Sequence, residues 1–124
     1  MTQPNSIKVR KQSRLLQLSW DDCFAELSFE FLRVHSPSAE VRGHGQGNEV
    51  LQVGKQEVDL LSLQPVGHYG VQLSFNDGHD SGIYSWDYLR HLADNHASLW
   101  QQYLQRLQQA GASREAGSLI FKQL

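Results

Sequence analysis

Large apolar side chains occupy every second position from Tyr69 to Phe75, with small or polar residues between them. Because side chains alternate between the two faces of a sheet, this period of two predicts a strand with one buried face that includes Tyr69. The sequence NDGH at positions 76–79 is typical of a tight turn, since glycine adopts positive φ at little cost. Residues 81–84 are then predicted to return as the partner strand of a hairpin.

Shorter apolar stretches predict further strands. They lie at positions 7–9, 15–20, 23–27, 50–53 and 58–63. Asp21 and Asp22 are predicted to form a turn, because short carboxylate side chains bond to their own backbone in turns. The sequence QPVG at positions 64–67 is predicted to be a connector between strands.

A capping residue predicts a short helix in the first half of the chain. Ser28 is a good N-cap residue, and Glu30 follows in the first turn. The helix is predicted to end at Val34, because Pro37 disfavours helical geometry at the residue before it. The next segment, SPSAEVRGHG at positions 36–45, is predicted to be an exposed polar loop.

Two more helices are predicted after the hairpin. Ser85 is placed to be the N-cap of the first, which is predicted to end near Asn95. The second is predicted from about position 97 to position 110, where Gly111 ends it.

The order of these elements predicts an α+β fold with a small, mainly antiparallel sheet that contains a hairpin and is followed by C-terminal helices. One domain is predicted to span residues 1–124, with a C-terminal helix and tail at 97–124. The ring of Trp86 is predicted to pack on the sheet near Tyr69 or Leu73.

Composition limits the classes of partner and compartment. The 124 residues, 40% of them apolar, fit one modest core. A net charge of −2 gives no attraction to nucleic acid or to an anionic membrane, so neither is expected as a partner. The single cysteine, Cys23, excludes an internal disulfide. Without an apolar leader or an apolar run of about 20 residues, the protein is expected to be cytoplasmic.

Common catalytic and cofactor motifs are missing from the sequence. One cysteine cannot supply the paired thiolates of a usual structural zinc site, although there are six histidines. The glycine-rich sequence at 43–47 lacks the lysine of a phosphate loop, and there is no GxSxG motif. We therefore expect no catalytic residue, no bound cofactor and no enzymatic activity.

Two segments carry a family resemblance. The sequence LQPVGHY at 63–69, followed by FNDGHDSGIYSWDYLR at 75–90, closely resembles the gamma-butyrobetaine hydroxylase N-terminal-like domain, a domain of unknown function. The resemblance covers roughly residues 7–93. It implies a small α+β domain, which in the hydroxylases precedes a 2-oxoglutarate oxygenase domain. Similar domains are fused to iron–sulfur scaffold ATPases, and many bacteria carry the domain alone. The resemblance thus implies a non-catalytic accessory or protein-interaction module in metalloprotein or iron–sulfur cluster metabolism, with an unknown protein partner.

The same resemblance bears on the polar loop at 36–45. In the hydroxylases the corresponding segment reads L-R-x-x-C-P-C-x-x-C, and its three cysteines hold zinc together with a histidine of the later hairpin. Here the cysteine positions carry Ser36, Ser38 and Val41, and the hairpin histidine is His79. A neutral hydroxyl is a poor substitute for thiolate, so the resemblance implies a metal-free version of a zinc knuckle.

Two further hypotheses concern this loop. A replacement site for zinc or iron is conceivable if His35, Glu40, His44 and His79 gather where the loop meets the hairpin. The second hypothesis is an interaction surface for the partner protein at the same place, with Glu40 and His44 adding to its mixed charge. Its predicted members are Arg33, Ser36, Ser38, Arg42 and His79. The alternative to both is a loop without function.

Overall fold

The computed structural model of the protein describes residues 3–43 and 49–116. In this part of the chain, three strands followed by two helices occur twice, and the strands form two antiparallel sheets, which confirms the predicted α+β class. The strands are Ser6–Arg10 (β1), Leu15–Trp20 (β2), Cys23–Ser28 (β3), Leu60–Val66 (β4), Gly70–Phe75 (β5) and Gly82–Ser85 (β6). The helices are Phe29–Val34 (α1), Ala39–Arg42 (α2), Trp86–Asp94 (α3) and His96–Ala110 (α4).

The first three strands form an antiparallel sheet in the order β1-β2-β3. Alternate residues of β2 face the core, because Leu16, Leu18 and Trp20 are buried while the residues between them are partly exposed. Leu16 lies opposite Leu27 of β3, so the two strands contribute to the same apolar face.

The hairpin belongs to a second antiparallel sheet in the order β4-β5-β6. Val71, Leu73 and Phe75 are buried as predicted. The prediction for Tyr69 was wrong, since its side chain is 50% exposed. The strand begins only at Gly70, and Tyr69 lies in the preceding turn, where the alternation of the strand does not fix the direction of its ring.

The chain between α2 and the second sheet differs from the prediction. Residues 50–53 form no strand, and β4 runs through the predicted connector as far as Val66. Backbone hydrogen bonds lead this segment elsewhere: Val50 donates to Val41, and Gly54 donates to Ser113 near the C-terminus. Pro65 is accommodated inside β4 because that strand lies at the edge of its sheet.

The helices begin at the predicted caps. The Ser28 hydroxyl accepts from the Phe31 amide at 3.0 Å, and the Ser85 hydroxyl accepts from the Tyr88 amide at 3.1 Å. Gly111 ends α4 in a left-handed conformation, at a φ of 65°. None of the helices among the described residues is long and apolar enough to span a membrane.

The larger of two core clusters among the described residues joins both sheets to α1 and α3. Trp86 is buried in this cluster, to which Leu73 also belongs. The Trp86 indole also donates to the His68 carbonyl at 2.8 Å. Beyond α4, Arg114 pairs with the buried Glu30 of α1 through two contacts of 2.7 and 2.8 Å. Residues 117–124, the end of the predicted C-terminal tail, lie outside the described part.

Candidate functional site

Ser36, Ser38 and His79 lie together beneath α2. The Ser36 hydroxyl is 2.7 Å from Nε2 of His79, and the Ser38 hydroxyl is 3.4 Å from the same nitrogen. All three residues are buried, with exposures of 1%, 8% and 5%. The structure therefore brings together three of the four positions that the resemblance identified as ligand positions. The fourth, Val41, is also buried.

Local sequence explains how each side chain reaches this point. The α1 helix stops before Pro37, and Ser38 takes an extended conformation as the N-cap of α2. On the other side, Gly78 has a φ of 87°, and this conformation allows the tight turn that presents His79. The turn is also held by the His79 amide, which donates to the Asp77 carboxylate at 3.2 Å.

Close packing surrounds the two serines. A Cβ atom at Gly82 would lie 2.4 Å from the Ser36 hydroxyl, so the approach of β6 to this loop requires a glycine. Tyr84 is fully buried beside Gly82, and its hydroxyl donates to the Leu32 carbonyl at the end of α1. Burial raises the pKa of the Tyr84 phenol, which therefore stays protonated.

An ion-pair network fixes the hairpin tip. Asp77 accepts from Arg33 Nε at 2.8 Å and from Lys55 Nζ at 2.6 Å. Burial by itself would raise the pKa of Asp77, but Lys55 and Arg33 hold it below the ordinary value. Arg33 also donates to the Gln52 side chain at 3.0 Å. The Arg33 guanidinium is thus bonded to side chains of the protein itself.

The contacts of His79 determine its tautomer. Its Nδ1 atom lies 3.4 Å from the Glu40 carboxylate, which can only accept a hydrogen bond. Burial, assisted by Arg33, lowers the pKa of His79, although Glu40 and Asp77 act in the opposite direction. In the neutral ring Nδ1 carries the proton, so Nε2 accepts from the Ser36 hydroxyl.

The order Ser36, His79, Glu40 has the connectivity of a hydrolase triad, a feature that sequence reasoning missed because these residues are not adjacent along the chain. A nucleophile must reach its substrate, whereas Ser36 is 1% exposed. Glu40, in contrast, has a side chain that is 72% exposed. In this arrangement the hydrogen bonds tie α2 to the hairpin, and the hydroxyl is closed off from solvent.

The predicted replacement metal site is assembled only in part. Glu40 and His79 are in contact, as described above. His35 donates from Nδ1 to the Phe31 carbonyl at 2.9 Å, and burial lowers its pKa. His44 lies outside the described residues. Within residues 3–43 and 49–116, no group of three histidine, cysteine or acidic residues is placed to hold a metal ion.

The predicted interaction surface is mostly inside the protein. Arg33, Ser36, Ser38 and His79 are buried, and of the five predicted members only Arg42 is exposed. Ser36, Ser38 and His79 lie beneath α2, a helix in a segment that was predicted to be an exposed loop, and Arg33 pairs with Asp77. The signal for α2 was present, because a serine N-cap precedes Ala-Glu in the first turn.

Comparison with known proteins places these features in a family. Residues 7–90 match the family model described as gamma-butyrobetaine hydroxylase-like, N-terminal. Among curated proteins, none matches the chain significantly.

Solved structures of similar proteins share the fold. One NMR solution structure is of a protein 48% identical to this chain, with a TM-score of 0.81 over 98% of this chain and 96% of the other. A second NMR structure is of a protein 45% identical, with a TM-score of 0.76 over 98% and 94% of the two chains. A crystal structure of a protein of unknown function from Acidithiobacillus ferrooxidans, which belongs to the DUF971 family, is 40% identical. Its TM-score is 0.61 over 73% of this chain and 92% of the other.

Proposed function

This chain belongs to the gamma-butyrobetaine hydroxylase-like N-terminal family, and we propose its role on that basis. In this role the protein is a non-catalytic accessory module of the cytoplasm that binds another protein during metalloprotein or iron–sulfur cluster metabolism. The settings that the family resemblance implies, beside an iron-dependent oxygenase domain or an iron–sulfur scaffold ATPase, support this class of role.

The observation that carries the proposal is the closed cluster of Ser36, Ser38 and His79. The two hydroxyls contact the imidazole, and all three residues are buried, so the cluster offers no accessible nucleophile. Two residues of the adjoining segment, Ser38 and Glu40, contact the imidazole from either side. These contacts hold α2 in one position. A surface element that is ordered before binding loses less conformational entropy when a partner docks.

The exposed face of α2 is the contact surface that we propose. Ala39, Glu40 and Arg42 are its exposed residues. One acidic and one basic side chain around a small residue suit a polar, transient protein contact better than a permanent apolar interface. The proposed contact surface therefore lies on α2, and not on the buried side chains beneath it that the sequence predicted.

Partner capture with surface variants tests this proposal. Ala39→Arg and Glu40→Lys are each compared with wild type in cross-linking from the native host, followed by identification of the captured proteins. Glu57→Lys is a matched control, because Glu57 is exposed and lies in the turn before β4. We expect metalloproteins or cluster-assembly proteins to be captured by wild type and Glu57→Lys, and lost from both α2 variants. Equal capture by all four proteins would contradict the proposed surface.

A metal-binding role is the second candidate, and the contact between Glu40 and His79 favours it. Carboxylate and imidazole together suit zinc or iron. Metal analysis of protein purified without a histidine tag distinguishes the two roles. Stoichiometric metal that is lost in both Glu40→Gln and His79→Gln would favour this second candidate.

A further inference from the structure

A cavity of about 460 Å³ lies between the loop at the end of α1, the short helix α2 and the two C-terminal helices. Its volume is within the range of pockets that hold small organic molecules, about 300–1,000 Å³. Val34, Val41 and Leu99 supply aliphatic surface from three different elements. The Tyr88 and Tyr103 side chains add aromatic surface. The cavity is thus able to enclose the apolar body of a ligand.

The two tyrosines are held in place by the backbone around the cavity. Tyr88 donates to the His35 carbonyl at 2.6 Å, and Tyr103 donates to the Gln52 carbonyl at 2.8 Å. Their hydroxyl groups therefore fix the walls, and this part of the cavity is formed before any ligand arrives.

Two arginines add positive charge to the lining. Arg42 comes from α2 and Arg106 from α4, while Glu49 is the acidic residue that lines the cavity among the described residues. Arg106 donates to the Glu49 backbone carbonyl at 3.0 Å, which leaves further guanidinium N–H groups for other acceptors. Within the described part of the chain, no hydrogen bond or ion pair engages the Arg42 guanidinium.

His35 adds an acceptor to this lining. Its Nδ1 is bonded to the Phe31 carbonyl, which can only accept, so Nδ1 carries the proton. Burial lowers the pKa of His35, and the positive charge of Arg106 acts in the same direction, while the bond to Phe31 opposes them. The Nε2 atom is then a hydrogen-bond acceptor. The lining consequently combines guanidinium donors, the imidazoles of His35 and His91, and an apolar wall.

We propose that this cavity binds a small organic carboxylate whose body is aromatic or aliphatic. The carboxylate lies against Arg42 and Arg106, because guanidinium groups bind carboxylates with paired, charge-assisted hydrogen bonds. The body of the ligand packs on Val34, Val41 and Leu99. The proposal goes beyond the protein-interaction role and does not depend on it.

A titration followed by amide NMR shifts tests the proposal with 3-phenylpropionate as the probe. Its uncharged amide, 3-phenylpropionamide, has the same body without the negative charge. We expect saturable shifts around His35 and Tyr103 with the acid, and binding at least about tenfold weaker with the amide. Raising the salt concentration should also weaken binding of the acid, since salt screens charge attraction.

Matched arginine variants locate the charge that matters. Arg42→Gln and Arg106→Gln should each weaken binding of the acid by about tenfold or more. Arg10→Gln removes the same charge from the exposed strand β1 and should leave binding unchanged. A urea melt of each variant checks that it remains folded.

Three results would overturn the proposal. They are no saturable shift up to about 10 mM acid, equal binding of acid and amide, and equal weakening by Arg10→Gln and the cavity variants. The readout is separate from that for the partner surface, because Ala39→Arg tests partner capture and Arg106→Gln tests ligand binding.

Discussion

A hydroxyl and an imidazole can stabilise a buried site only while both are paired. The Ser36 hydroxyl and Nε2 of His79 lie 2.7 Å apart in a region where neither is accessible to water. A neutral hydrogen bond contributes about 0.5–1.5 kcal/mol net, whereas a buried partner left unpaired costs about 1–3 kcal/mol. The consequence at the residue scale is that removing one member should cost more than the bond itself contributes.

The first prediction concerns Ser36→Ala. It leaves Nε2 of His79 without its closest donor, so we expect a loss of about 1–3 kcal/mol in the free energy of unfolding, measured with urea. Ser81→Ala is the control, because Ser81 is exposed and should change stability by less than about 0.5 kcal/mol. Equal effects of the two changes would contradict the role assigned to Ser36.

Gly82→Ala tests the packing against the same hydroxyl. The new methyl group would lie 2.4 Å from the Ser36 oxygen, so the variant should be destabilised in the wild-type background. In the Ser36→Ala background that oxygen is absent, and the cost of Gly82→Ala should be smaller. A double-mutant cycle measures this coupling, and additive costs would show that the contact with Ser36 is unimportant.

The pKa of His79 makes stability depend on pH. Burial and Arg33 hold this pKa below the ordinary value of 6.5, with Glu40 and Asp77 opposing them. The unfolded chain therefore takes up a proton first as the pH falls, so the free energy of unfolding should decrease below about pH 6.5. The decrease is complete once the pH is below the pKa of the folded state. The buried His35 contributes with the same sign.

Urea unfolding at several pH values between about 7.5 and 5 measures this dependence. His79→Gln should weaken it, whatever the variant's stability at neutral pH. His68→Gln is the comparison variant, because His68 is exposed in the turn before β5. An identical slope for wild type and His79→Gln would assign the effect to other groups.

At the scale of the elements, short-range chemistry was easier to predict than long-range contacts. The caps Ser28 and Ser85 indicated where α1 and α3 begin, because a cap bonds to an amide only three residues away. Residues 50–53 looked like a strand, but Val50 donates to Val41 of α2, and the following Gly54 donates to Ser113 in the C-terminal segment. The local pattern does not encode these distant partners. The edge position that accommodates Pro65 is likewise set by sheet topology.

The candidate site shows the same division. The family resemblance indicated that Ser36 and His79 would be close, and the structure agrees. Burial of Arg33 was missed, because its partner Asp77 is 44 residues away along the chain. An arginine within a polar segment is predicted to be exposed when its carboxylate partner is distant along the chain.

Trp86 provides a prediction for α3. The ring is 6% exposed and packs in the core cluster, so Trp86→Ala should cost about 3–5 kcal/mol. Trp86→Phe removes the donor to the His68 carbonyl and fills less of the site. Because it keeps an aromatic ring in the core, it should still cost less stability than Trp86→Ala. Near wild-type stability of Trp86→Ala, combined with loss of a partner, would instead indicate a binding residue.

At the scale of the whole molecule, the two sheets and two of the helices share one core, and the polar cluster lies where the α1 end, α2 and the hairpin meet. In relatives that carry cysteines, the resemblance implies that zinc joins these segments. Here Ser36, Ser38 and His79 make direct contacts between the same segments. We expect the apolar core and these hydrogen bonds to supply the folding energy that a structural metal would otherwise provide.

This difference yields a prediction about metal dependence. A chelator should leave the melting temperature of the protein unchanged, because the described contacts between these segments need no ion. The measurement is a thermal melt with and without chelator, and then with added zinc. A large fall on chelation that zinc reverses would contradict the metal-free cluster.

The reverse change tests whether the geometry of a zinc site persists. With bonds of about 2.0 Å to nitrogen and 2.3 Å to sulfur, neighbouring tetrahedral ligands are roughly 3.5 Å apart. The Ser38 hydroxyl is 3.4 Å from Nε2 of His79, which matches that spacing, and the Ser36 hydroxyl is closer, at 2.7 Å. The triple variant Ser36→Cys, Ser38→Cys, Val41→Cys should therefore bind zinc and gain thermal stability from it. Adding His79→Ala should weaken zinc binding and reduce that gain, since it removes the fourth ligand. If the triple variant bound zinc no more tightly than wild type, or if His79→Ala made no difference, these positions would not retain the ligand arrangement.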